Sequence, residues 1–114
     1  MKNRKRNRNL IDPPLDLHNR LNDTLIGKLV DISDMGIKMI SEEAVPNNTF
    51  FRMVIKLPMK INDSEVLLFD AISLWCKQDL NSESHAVGCQ VLNIKPEELQ
   101  KLADLLKDYS QEKE

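Results

Sequence analysis

TLIGKLVDISDMGIKMI, residues 24–40, is the stretch that decides the fold. Leu25, Gly27, Leu29 and Asp31 alternate with Ile26, Lys28, Val30 and Ile32. That is the period of two of a strand whose faces meet different surroundings. Ser33-Asp34-Met35-Gly36 breaks the alternation with turn-forming residue types, and residues 37–40 resume it as a short second strand. A strand, a turn and a return describe an antiparallel hairpin.

The same grammar extends outward. Leu15, Leu17, Asn19 and Leu21 alternate with Asp16, His18 and Arg20, a weak first strand ending at the turn residues Asn22-Asp23. Downstream, Pro46-Asn47-Asn48 opens a strand over residues 49–57 that ends at Pro58. Asn62-Asp63-Ser64 turns into the longest strand, residues 65–77, and residues 81–84 turn into another at 85–94. Short-spaced strands with no helix between them predict a mainly β domain, an antiparallel barrel or sandwich. The last segment changes period. Pro96 opens it, Glu97 and Glu98 fill its first turn, and Leu99, Leu102, Ala103, Leu106 and Tyr109 recur at helical spacing. This predicts one amphipathic helix over residues 96–109, its leucine face packed on the barrel. Residues 110–114 are expected to fray. Residues 1–14, basic and closed by Pro13-Pro14, are expected to form a flexible arm ahead of a domain spanning 15–109.

A net charge of −2 over 114 residues conceals a split. Lys2, Arg4, Lys5, Arg6 and Arg8 give the first eight residues a charge of +5, which leaves −7 on the remainder. No apolar run approaches the ~20 residues that cross a bilayer, and the basic start leads into no apolar signal core, so a cytoplasmic location is expected. Cys76 and Cys89 sit singly in strand-like runs and are expected as small core residues. His18 and His85 show no zinc-ligand spacing, so no metal site is expected. Three glycines, at 27, 36 and 88, make neither a P-loop nor a dinucleotide fingerprint, and no nucleophile motif is present. The expectation is a binding protein with no catalytic residues and no cofactor.

Two motifs remain. Arg4-Lys5-Arg6-Asn7-Arg8 holds an R-x-x-x-R spacing, and Asp31-Ile32-Ser33-Asp34-Met35-Gly36 is D-x-S-x-x-G at the end of the hairpin's first strand. Together they suit a guanine-nucleotide clamp. Guanidinium forks bind phosphate bidentately, donate to guanine O6 and N7, and stack on purine faces. A carboxylate at Asp31 accepts from guanine N1 and N2 hydrogens, the Ser33 hydroxyl holds the loop or a base edge, and Gly36 allows positive φ or close approach. Lys5 and Arg6 add cations to the arm. Trp75 shares a strand face with Ala71 and Ser73, opposite Ile72, Leu74 and Cys76. Packing in the core or at the barrel rim is its default reading, and a stacking surface near a ligand the alternative.

On these residues the sequence resembles the PilZ domain family, bacterial receptors for cyclic di-GMP. An R-x-x-x-R arm followed about two dozen residues later by D-x-S-x-x-G is that family's signature, and Arg8 precedes Asp31 by 23 positions. Ala71-Ile72-Ser73-Leu74-Trp75 is similar to its late strand, residues 85–91 to its G-x-x-F strand, and residues 94–99 to its strand-to-helix junction. The resemblance implies a six-stranded antiparallel barrel with a C-terminal helix, the arm folding across the barrel mouth onto the ligand. It also implies that Arg4 and Arg8 grip phosphate and guanine while Asp31, Ser33 and Gly36 form the opposing lip. The expected partners are cyclic di-GMP and a downstream protein. An adaptor that binds protein without nucleotide is the alternative. A nucleic-acid binder using residues 1–8 is a third reading, which the acidic body disfavours.

Overall fold

Six strands close on themselves. They are Asn9–Asn19 (β1), Leu25–Ser33 (β2), Gly36–Ser41 (β3), Phe50–Ile61 (β4), Ser64–Gln78 (β5) and His85–Leu92 (β6). In the computed structural model, which describes residues 9–33, 36–61 and 64–112, each strand pairs antiparallel with its neighbours in the order β1-β2-β3-β6-β5-β4, and β4 returns to β1. A barrel of this kind leaves no continuous edge for other chains to pair with. The helix Pro96–Tyr109 (α1) follows, then a short strand Ser110–Glu112 (β7). The mainly β barrel with a C-terminal helix is therefore the observed architecture.

The alternation read from the sequence points its apolar half inward. Leu17, Leu29, Met39, Met53, Ile55, Leu67 and Val87 are essentially inaccessible to solvent, so all six strands contribute to one core. Cys89 is buried among them and Cys76 is half-buried, both as free thiols.

The strands depart from expectation at their prolines. β1 begins at Asn9, ahead of Pro13-Pro14, and β4 runs on through Pro58 to Ile61. Proline lacks the N–H that a ladder needs, so it belongs where pairing lapses. Leu10 pairs with Asp31 and Leu15 with Leu29, which leaves residues 11–14 opposite Val30 alone. Likewise Lys56 pairs with Val66 and Ile61 with Ser64, which leaves residues 57–60 opposite Glu65. Each proline stretch is thus carried within a strand as a bulge.

The chain's end differs too. Residues 110–112, expected to fray, pair as β7 with residues 9–11 of β1. The partner β4 reaches only residues 17–19 of β1 on that side, so β7 supplies hydrogen bonds to an otherwise open stretch.

The helix is turned relative to the expected leucine face. Leu105 is fully buried and Leu102 nearly so, whereas Leu99 and Ala103 are exposed. The inward stripe is Glu98, Lys101, Leu102 and Leu105, an i, i+3, i+4, i+7 set. Its polar members bond to the β5 backbone: Leu68 N–H donates to Glu98 Oε1 at 2.7 Å, and Lys101 Nζ donates to the Val66 carbonyl at 3.2 Å. β6 pairs with β5 only from Asp70 onward, so this part of β5 needs a cover, and α1 provides it.

At the other end of the barrel, Ser73 pins the loop between β3 and β4. Its hydroxyl, fully buried, donates to the Pro46 carbonyl at 2.7 Å and accepts from Thr49 N–H at 2.9 Å. Ser73→Ala strands the Thr49 N–H, while the Pro46 carbonyl keeps the Thr49 hydroxyl at 2.6 Å, and is expected to cost about 1–3 kcal/mol. Urea unfolding checks this: the midpoint should fall while the slope stays unchanged, because the exposed surface does not change.

Candidate functional site

The β2–β3 hairpin carries Asp31, Ser33 and Gly36 on the outer wall of the barrel. Ile32 and Ile37 are buried inward, which sends Ser33 and Gly36 outward. A bulge at Val30, between the pairs Leu29–Met39 and Asp31–Lys38, turns Asp31 away from the inward face of Leu29, although Asp31 is itself only 6% exposed. Ser33 pairs directly with Gly36 across the turn. Gly36 does not adopt positive φ. Its role is close approach: a Cβ placed there would stand 3.1 Å from the Ser33 carbonyl oxygen.

Strand register extends this group into a row. Asp31 pairs with Lys38, Lys38 with Gly88, and Gly88 with Trp75, so one line crosses β2, β3, β6 and β5. A second line runs Ser33, Gly36, Gln90, Ile72. Directly paired residues share a face. The result is a shallow cavity of about 270 Å³ bounded by Asp31, Ser33 and Gly36 on one side and Trp75 over Gly88 on the other. Lys38 lines it and makes no ion pair among the described residues. Cys89 also lines it, and burial pushes its thiol up to about 11, which keeps that wall uncharged at neutral pH.

Trp75 reaches this cavity through a bulge. Ser73 pairs with Cys89 and Trp75 with Gly88, so Leu74 is one extra residue in β5. The insertion resets the alternation. Trp75 therefore does not share the inward face of Ala71 and Ser73, as simple alternation predicts; it stands outward, 43% exposed, next to Leu74 at 49%. Of its default reading, packing in the core or at the barrel rim, the core is thereby excluded, and Trp75 stands on the cavity wall.

Arg4, Lys5, Arg6 and Arg8 lie outside the described residues. The root of their segment is placed: Asn9 pairs with Ile32 and Leu10 with Asp31, so β1 starts alongside the D-x-S-x-x-G strand. Arg8 is one peptide bond from Asn9. Lys38 carries no motif and sequence reasoning passes over it, while Gly88 is read there only as part of the G-x-x-F-like strand, with no role at a site. The available signal is a glycine inside a strand, which marks close approach of another group.

A larger cavity of about 550 Å³ lies at the opposite end, beside the loops that hold residues 20–24 and 42–49. Glu42 and Glu43 line it, and its one lysine, Lys28, is already paired with Asp16 at 2.6 Å. That bond is the main reason the Asp16 carboxyl is held below its ordinary range. Such a lining repels anions, so the smaller cavity is the better match to an anionic ligand.

Comparison with known proteins agrees with this architecture. The sequence matches the PilZ domain family over residues 2–108. Among solved structures, the Bacillus subtilis inhibitor of motility (MotI/DgrA) is similar, with a TM-score of 0.69 and 18% sequence identity. The alignment covers 94% of this chain and 50% of that one, so the present chain spans about half the length of its structural relative. At that identity the likeness shows the fold. No curated protein matches the sequence. With the family match running over nearly the whole chain and the same barrel beneath it, the chain belongs to the PilZ domain family, a family of cyclic di-GMP receptors.

Proposed function

We propose that this chain is a cyclic di-GMP receptor that signals by binding, with no catalytic step. The observation that carries the reading is the gathering of Asp31, Ser33, Gly36, Lys38 and Trp75 around one cavity whose edge adjoins the root of the basic arm. The ligand has two phosphates and two guanines. Arg4 and Arg8, with Lys5 and Arg6 adding charge, supply forks for phosphate and for guanine O6 and N7. Asp31 accepts from the guanine N1 and N2 hydrogens, Ser33 holds the turn or a base edge, and Gly36 lets the base approach the backbone. Trp75 offers a π surface to a base. Lys38 sits among these groups as a cation of the barrel itself.

The charge split gives the binding event its physical form. A +5 segment attracts a dianionic ligand and speeds encounter. Engagement then brings that segment onto a body of −7, which changes the charge and shape of the outer wall. A downstream protein in the cytoplasm reads the changed surface. Calorimetric titration tests the reading: cyclic di-GMP should give a saturable heat at micromolar concentrations, and GMP little or none. Absence of heat with cyclic di-GMP under those conditions would leave the adaptor without nucleotide as the surviving reading.

A further inference from the structure

Building on the receptor reading, we infer that Gly88 and the Leu74 bulge are positioning residues that seat Trp75 as the base-stacking wall of the site. Two independent features converge on this side chain. The bulge turns it outward, where uninterrupted alternation would bury it. Gly88, its register partner, then lets it down onto the barrel. A methyl group built on Gly88 would fall on indole atoms Cε2, Nε1 and Cζ2 of Trp75, so the ring occupies the space that any other residue's Cβ would take. Gly88 itself is buried although its register row faces outward, because the ring covers it.

The physical benefit is preorganisation. An exposed tryptophan on an unconstrained strand samples several rotamers, and holding one of them on binding costs entropy. Seated over a bare Cα, the indole loses that freedom in the free protein while remaining 43% accessible on the side of Asp31, Ser33 and Lys38. A purine entering the cavity finds hydrogen-bonding groups across the wall and a fixed aromatic surface beside it.

The test uses the fact that Trp75 is the chain's one tryptophan, so its fluorescence reports this position alone. Cyclic di-GMP should quench the emission of the wild-type protein. Gly88→Ala should shift the emission of the free protein to the red and raise its quenching by acrylamide, as the ring is lifted from the wall. Base stacking on an aromatic ring is worth roughly 1–3 kcal/mol, so calorimetry should show Gly88→Ala and Trp75→Ala each weakening binding about tenfold. The Gly88→Ala change made in the Trp75→Ala protein should add less than about twofold, since the clash is gone with the ring. This double variant also relieves any folding defect of the single one. Binding that survives Gly88→Ala intact, or losses that add in full, would overturn the positioning role while leaving the receptor reading untouched. A wild-type protein that gives no heat with cyclic di-GMP removes the receptor reading, and this inference with it.

Discussion

Arg8→Ala is expected to weaken cyclic di-GMP binding by about 100-fold or more while the melting temperature stays within about 2 °C of wild type. A hydrogen bond to a charged group contributes about 1.5–3 kcal/mol, and a guanidinium fork makes two at once. Loss of roughly 3 kcal/mol corresponds to that factor in affinity. Stability should hold because the strand ladders that enclose the core run from Asn9 onward. Arg8→Lys separates charge from geometry: it keeps the cation, loses the planar fork, and should fall between the two, near tenfold. Calorimetric titration of the three proteins in one buffer measures this, and affinity should also drop as salt is raised. An Arg8→Ala protein that binds within threefold of wild type would remove the arm from the site.

The largest effect on stability is expected at Glu98. Its carboxylate and the Lys101 ammonium are 2.9 Å apart, with only 13% and 12% of the side chains exposed, and Glu98 also accepts from Leu68 N–H. Glu98→Ala removes the carboxylate against which Lys101 is buried and strands a β5 donor. Breaking a buried pair on one side costs about 3–5 kcal/mol, a large share of the 5–15 kcal/mol that holds a domain of this size together. The melting temperature should fall by more than about 10 °C. Replacing Lys101 with methionine in the same chain should recover part of the loss, because no buried ammonium is then left behind.

This contribution also depends on pH. Burial raises the Glu98 pKa, but the Leu68 N–H and Lys101 outweigh it and hold the carboxyl below its ordinary 4.5. A carboxyl depressed in the folded state stabilises fully above its unfolded value, and the contribution is lost as pH falls through the folded value. The stability gap between wild type and Glu98→Ala should therefore be constant at neutral pH and narrow below about pH 4.5. A gap that stays constant down to pH 3 would show that the ionised carboxylate is not the source of the stabilisation.

Much of the barrel was legible in the chain. Alternation around Leu17 and Leu29 identified two of the strands, because burial on one side of a strand enforces a period of two. The D-x-S-x-x-G residues were legible for a different reason: they are contiguous, and a turn brings their side chains together without help from distant parts of the chain. The helix was legible in type and bounds but not in rotation. Its leucines suggested a face that includes Leu99, yet Glu98 and Lys101 face inward because β5 leaves backbone groups that they can bond.

Trp75 marks where alternation stops being a guide. One extra residue at Leu74 reverses the face of everything after it, and a bulge has no composition of its own to betray it. The proline stretches at 13–14 and 58 mislead in the same way, since they read as strand ends and are carried as bulges. Composition and local pattern established the strands, the helix, the hairpin motif and the charge split, all of which depend on residues close together in the chain. The row Asp31, Lys38, Gly88, Trp75 belongs to the folded barrel alone, because register brings together positions up to 57 residues apart whose contact no local preference encodes.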